Sequence, residues 1–272
     1  SKILNVNIQD IEKLTIFKKS VDARKKNNIM FSFSVDVKLN PSFDEESVIE
    51  KCKSNKVQIV KEYKYELPAN NYKSKFRPVV VGFGPAGMFA SLILAEAGLK
   101  PIVIERGKDI DSRQKDVNKF WNEKELNEES NVQYGEGGAG TFSDGKLTTG
   151  IKSPFIRKVL NELYKAGAPE EILYSSKPHI GTDKLAIVVK SFHNKIIELG
   201  GDILLQSKLE KLIVANGFVH GITYKKDEKL IDIETDSVIL AIGHSARDTV
   251  EMLYNSGVKI IQKPFSVGAR IE

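Results

Sequence analysis

Apolar and polar positions change rhythm several times along the chain. KILNVNI, residues 2–8, alternates and predicts a strand. IEKLTIFKKSVDARKKN, 11–27, is charged and fits a helix, and IMFSFSVDVKL, 29–39, alternates again. DEESVIEKCKSN, 44–55, carries acids in its first turn with Asp44 as a cap, so a second helix is expected. KVQIVKEYKYEL, 56–67, alternates as a third strand. The order β-α-β-α-β over 1–75 predicts a small α+β module of ferredoxin-like type. PANNYKSKFRP, 68–78, ends it as a polar linker with proline at both ends.

The rhythm then becomes that of an α/β protein. VVV, 79–81, runs into GFGPAG and the helical stretch AGMFASLILAEAG, with Gly98 as its stop and KPIVIE, 100–105, as the next strand. A long excursion follows from Arg106 to Lys177, dense in glycine over 135–150. TDKLAIVVKSFHNKIIEL, 182–199, reads as a helix with Thr182 as N-cap and Gly200-Gly201 as its end. DILLQSK, LEKLIVA, FVHGITYKK and KLIDIETD follow, and their NG and KDEK turns suggest an antiparallel meander. SVILAIG, 237–243, predicts a buried strand ending in glycine.

Composition narrows the class. Of 272 residues, 41% are hydrophobic and 28% charged, which places the chain among ordinary globular proteins. No apolar run reaches the roughly 18 residues of a membrane span. So no membrane role is expected, and the N-terminus, without the apolar core of a signal peptide, does not suggest export. One cysteine, Cys52, excludes an internal disulfide and fits a reducing cytoplasm. The net charge of +5 is mild. Lys18, Lys19, Arg24, Lys25 and Lys26 cluster in FKKSVDARKK without an aromatic stacking motif. A solvated helix end, with Arg24 paired to Asp22 or to a neighbouring domain, is favoured there over a surface for RNA, an acidic partner or the other half of the protein.

The turn at 82–87 carries the chemistry. In GxGxxG between strand and helix, Gly82 allows the turn, Gly84 admits a pyrophosphate, and Gly87 allows close helix–strand packing. The helix N-terminus offers unpaired amides and a positive dipole end to the phosphates. Glu105, at the end of the second strand, takes the ribose hydroxyls, and an acid there disfavours a 2′-phosphate. FAD is favoured over NAD for three reasons: the excursion after Glu105, the glycine segment 134–150, and Gly243 at the end of its strand. Lys146 or the glycine segment could stabilise a reduced flavin. His179, in KPHIGTDKL, is the acid–base candidate by residue type; a loop histidine that only caps or packs is the alternative. His193 and His220 read as structural, and Glu136 and Asp144 as loop polar groups without a role. No residue cluster suggests a metal site.

GxGxxG with Ala90, Gly98 and Glu105 resembles the glutathione-reductase-like and p-hydroxybenzoate-hydroxylase-like FAD proteins. More narrowly, NVQYGEGGAGTFSDGKLTTG, KPHIGTDKL and FKKSVDARKK resemble a bacterial group of FAD-dependent dehydrogenases of unknown substrate. The resemblance implies a Rossmann-like three-layer FAD/NAD(P)-binding domain over 76–263 with an antiparallel meander. It implies that Gly82, Gly84, Pro85, Ala86 and Gly87 hold the pyrophosphate, and that Glu105 binds the adenosine ribose with Arg106 beside it. Arg113 would stand near the diphosphate, and Leu209 would meet the adenine through its backbone. Gly138, Ala139, Gly140 and Thr141 would approach the ribityl chain or flavin, with Ala241 and Gly243 passing by the cofactor. Residues 264–272 would begin a substrate-side domain, the rest of the polypeptide being absent from this chain. The implied activity is an FAD-dependent oxidoreductase passing hydride between the flavin and an unidentified small molecule, with NAD(P)H as electron partner. A non-catalytic FAD-binding or RNA-modification-related protein and an NAD-dependent dehydrogenase are the alternatives.

Overall fold

The computed structural model describes residues 2–52, 54–61, 64–68, 73–264 and 268. In chain order the strands are β1 (Ile11–Asp22), β2 (Met30–Leu39), β3 (Val79–Val81), β4 (Ile102–Ile104), β5 (Asp202–Leu204), β6 (Lys208–Ala215), β7 (Phe218–Lys226), β8 (Lys229–Glu234) and β9 (Val238–Leu240). The helices are α1 (Glu45–Cys52), α2 (Pro85–Glu96), α3 (Ile110–Glu123), α4 (Phe155–Lys165), α5 (Thr182–Glu198) and α6 (Arg247–Asn255). The chain forms two compact units, one from Ser1–Pro68 and Ser143–Ser191, the other from Ala69–Phe142 and Phe192–Glu272. Segment 143–191 therefore groups with the N-terminal residues rather than with 76–142. The domain expected from residue 264 falls almost wholly outside the described residues.

In the first unit, β1 and β2 pair antiparallel, with Ile16 opposite Val35 and Val21 opposite Phe31. The helix expected over 11–27 is thus a strand and a turn. Ile11, Thr15, Ile16 and Val21 are β-branched, and cross-strand contacts to Phe31, Phe33 and Val35 outweigh the helix preference of the lysines. Residues 2–8 form turns leading to a 3₁₀ turn at Ile8–Asp10, not a strand. No strand occurs among the described residues of 54–67. The observed order β-β-α replaces β-α-β-α-β. Arg24 donates to Asp22 through Nε (2.9 Å) and Nη2 (2.6 Å). The outer edge of β1 takes up residues 174–176, where the Lys19 N–H donates to the Tyr174 carbonyl (2.7 Å) and the Ser176 N–H to the Lys19 carbonyl (2.9 Å). The cap position of α5 is held by Gly181, whose carbonyl accepts from the Leu185 N–H (3.2 Å), and not by Thr182.

In the second unit a parallel sheet runs in the order β5-β4-β3-β9. β3 is central, and its three valines are buried, as a strand covered on both faces requires. Val79, Val81 and Ile104 pack against Leu209, Leu212, Ile222 and Tyr224 of the meander β6-β7-β8 and against Leu253 of α6. The two-residue period turns Val80 and Val103 to the other face, toward α2. Phe89 of α2 meets Phe192 of α5 edge-on, with ring centres 5.1 Å apart. Helices, parallel sheet and antiparallel meander form the three layers of a Rossmann-like α/β fold. Asn216 and Gly217 both have positive φ, as a tight β6–β7 hairpin requires. Two expectations are corrected. DIL, 202–204, joins the parallel sheet beside β4 instead of the meander. β9 is an edge strand, so Ile239 and Leu240 are exposed rather than buried. Among the described residues no helix is long and apolar enough to cross a membrane.

Candidate functional site

The site grows from the turn between β3 and α2. Gly84 stands at the N-cap of α2 and Pro85 at its first position. Proline lacks an N–H and is pre-set for helix, so it suits a terminus whose amides have no intrahelical partner. A Cβ on Gly87 would lie 1.9 Å from the Gly82 carbonyl oxygen, so only glycine lets α2 close onto β3 here. The Gly82 N–H donates to the Ile104 carbonyl of β4 (2.8 Å), and the Ala241 N–H to the Val81 carbonyl (2.8 Å). The glycine segment lies directly on this turn. The Gly137 N–H donates to the Phe83 carbonyl (2.9 Å), and a Cβ on Gly138 would stand 2.7 Å from Gly84 Cα. The mouth is therefore lined by main chain.

Glu105 directly follows β4 and is 5% exposed. Its Oε2 accepts from the Phe83 amide (2.8 Å), and its Oε1 from the amides of Gly107 (2.9 Å) and Gly135 (2.9 Å). A carboxylate offers about four acceptor positions, so these three bonds leave one open. The carboxylate thus ties three chain segments together.

Arg113, on α3, is wholly buried. Nε donates to the Asn131 carbonyl (2.8 Å), Nη1 to those of Glu136 (2.8 Å) and Gly135 (3.4 Å), and Nη2 to that of Val132 (2.9 Å). Burial lowers its pKa to about 10, with Glu105 and Glu136 pulling the other way, so it stays protonated at neutral pH. The structure directs its donors into the loop 131–136 and not toward an exposed diphosphate, because a guanidinium satisfied by four carbonyls has no free fork for an anion.

Arg106 donates to Glu129 (2.6 Å) and with both terminal nitrogens to Asp248 (3.2 and 2.8 Å). Lys208 bridges the same two carboxylates at 3.2 and 2.8 Å. Burial alone would raise Asp248 and Glu129, but hydrogen bonds from Arg106 and Lys208 hold both carboxyls below their ordinary range. The Arg106 guanidinium also stands over the Tyr134 ring at 4.1 Å. The Tyr134 hydroxyl donates to the Ser245 carbonyl (2.7 Å).

The sequence candidates divide between the two units. Gly82 to Gly87, Glu105, Gly138 and Ala241 meet at the mouth. Ala139 and Gly140 continue in a 3₁₀ turn, Gly138–Phe142, with the Thr141 hydroxyl donating to the Glu136 carbonyl (3.3 Å). Leu209 is buried in β6 close after the Ser207 N–H, which donates to the Glu105 carbonyl (2.8 Å). Gly243 is exposed, with open space where a Cβ would stand. Lys146 and His179 belong to the first unit, where they face each other across an isolated antiparallel bridge. Lys146 there pairs with Asp144 at 2.9 Å.

Sequence patterning missed the pair Glu136 and His193, whose Oε1 and Nδ1 lie 2.5 Å apart. One signal was available. His193 borders the buried stripe Leu185, Val189, Phe192, Ile196 of α5, where a polar side chain needs a partner. Among the described residues no cluster of three His, Cys, Asp or Glu is placed to hold a metal.

Residues 1–38 match a family described as a domain of unknown function, DUF8436. An uncharacterized protein of Clostridium beijerinckii is 49% identical over 284 aligned residues, which take in all of this chain and 50% of the relative. The chain thus spans about half the length of that curated relative. Among solved structures, THI4 of Thermovibrio ammonificans is similar with 16% identity and a TM-score of 0.46, over 68% of this chain and 64% of that one. Glycine oxidase of Bacillus cereus is similar with 15% identity and a TM-score of 0.40, over 66% of this chain and 58% of that one.

Proposed function

We propose that this chain is the FAD-binding part of a flavin-dependent oxidoreductase. One observation carries the proposal. A glycine turn opens α2, a buried acid stands at the end of the neighbouring strand, and a second glycine segment lies on the turn with no side chain between them. Unpaired first-turn amides of α2 suit a diphosphate. The open acceptor position on Glu105 suits a ribose hydroxyl, and its negative charge disfavours a 2′-phosphate. Arg106 and Lys208 are held by Glu129 and Asp248, so neither is free to offset that charge.

Bound flavin supplies hydride transfer to or from a substrate. The chain's own residues hold and orient it. The turn 82–87 and Glu105 fix the adenosine end, and the glycine segment 135–141 lets the cofactor run close to main chain. Arg113 keeps that segment in register, and Leu209 and Ala241 line the approach. A small-molecule substrate, NAD(P)H as electron partner and the rest of a longer polypeptide complete the proposal.

The test is purification of the full-length protein, acid release of the bound cofactor, and its identification by mass. FAD in about equimolar amount, bleached anaerobically by NADH or NADPH, supports the proposal. Retained FAD that no reductant bleaches points to a binding role. NAD in place of FAD, or an empty protein that takes up neither, overturns it.

A further inference from the structure

The side chains of Glu136 and His193 have no part in the binding scheme above, yet they sit where its two halves join. Glu136 is 2% exposed. Its Oε2 accepts from the Ile110 amide (2.8 Å), while Oε1 lies 2.5 Å from His193 Nδ1. Its main chain is also held on both sides. The N–H donates to the Lys108 carbonyl (3.1 Å), and the carbonyl accepts from Arg113 and from Thr141. The next residue, Gly137, makes the bond to Phe83 that lays the glycine segment on the turn. The His193 ring stands edge-on to that same Phe83, with ring centres 6.3 Å apart and planes at 84°. One imidazole thus touches both partners of the junction, the segment through Glu136 and the turn through Phe83. With Glu136 as a carboxylate, which can only accept, the hydrogen of this bond comes from Nδ1.

We propose that His193 is a positioning residue: its Nδ1–H, donated to Glu136, locks the glycine segment 135–138 onto the nucleotide turn and thereby sets dinucleotide affinity. The inference rests on the proposed dinucleotide site at that turn. A hydrogen bond to a buried charged group is worth enough that losing it should weaken binding about tenfold or more.

Two variants separate the bond from the packing. His193→Phe keeps a ring against Phe83 and removes the donor, and His193→Asn restores a donor near the place of Nδ1. Amide hydrogen exchange at Gly137 and Gly138 reads the lock without ligand, and titration with ADP reads affinity. His193→Phe should speed exchange at both glycines about tenfold, leave Val80 and Val81 of β3 unchanged, and weaken ADP about tenfold. His193→Asn should return both readings toward wild type. If His193→Phe does not fold, His193→Leu, which also lacks a donor, should show the same faster exchange. Unchanged exchange in the variants overturns the lock. Faster exchange with wild-type ADP affinity overturns its link to binding, and an Asn variant as loose as Phe assigns the effect to ring packing and overturns the role of the donor. Wild-type protein that takes up neither ADP nor FAD overturns the dinucleotide site instead, while the exchange rates still decide the lock.

Discussion

Replacing Arg113 by methionine should cost about 3–5 kcal/mol, as when a buried charged partner is removed from its acceptors. Three of its hydrogen bonds are 2.8–2.9 Å long and end on carbonyls of Asn131, Val132 and Glu136. Each bond from a charged donor contributes roughly 1.5–3 kcal/mol, and the desolvation of the guanidinium offsets several kcal/mol of the sum. Methionine keeps the apolar stem and removes both the charge and its desolvation cost. The carbonyls remain without their charged donor, that of Glu136 keeping the Thr141 hydroxyl at 3.3 Å, and Glu105 and Glu136 lose their buried counter-charge. Lysine can reach only part of the set, so Arg113→Lys should lie about halfway. Trp121 is the chain's one tryptophan, and its ring stands edge-on to Phe142 at 6.2 Å. The Arg113 guanidinium lies over the same Phe142 at 4.8 Å. Trp121 fluorescence during urea unfolding therefore reports on this region. The midpoint should fall at nearly constant slope, with a melting temperature lower by roughly 6–20 °C for a chain of this size. An Arg113→Met protein within about 1 kcal/mol of wild type would show that the loop does not depend on its clamp.

Two further outcomes follow from the same region. Gly138→Ala puts a Cβ 2.7 Å from Gly84 Cα at φ +62°, so the two main chains must part; expected are a loss of about 1–3 kcal/mol and weaker FAD retention, checked by melting and by cofactor content after gel filtration. Glu129 and Asp248 have carboxyls held low in the fold, so their contribution is present above the ordinary carboxylate range and is lost as pH falls below about 4. Asp248→Asn should flatten the fall in Trp121-detected stability between about pH 4 and 2, and an identical slope in both proteins would refute the network's part in it.

What the sequence made legible was local. VVVGFGPAG announces strand, turn and helix within nine residues, and Gly98 and Gly200-Gly201 end their helices as expected. β1 was illegible because IEKLTIFKKSVD satisfies both periods, and only pairing with Phe31, Phe33 and Val35 decides between them. β9 looked buried because its residues are apolar, but sheet order and not composition makes it an edge. The ties that shape the site are long-range: 30 residues separate Glu105 from Gly135, 57 separate Glu136 from His193, and 142 separate Arg106 from Asp248. No pattern within a window of a dozen residues can register such pairs. Arg113 was placed near the diphosphate by resemblance alone, and the sequence offered nothing against it, since its partners are carbonyls, which every residue has.

The interleaving of the two units has a consequence for synthesis. Residues up to Pro68 leave the ribosome before Ala69–Phe142, and Ser143–Ser191, with which they pack, come only after the whole of that stretch. At roughly 5–20 residues per second this is a wait on the order of ten seconds. During that time β1 lacks the segment 174–176 on its outer edge, and two strands alone are marginal in water. The nascent ribbon, with Phe31, Phe33 and Val35 turned to solvent, is then most open to zipping onto a neighbouring chain, so crowded translation is the stage at which this protein is most vulnerable.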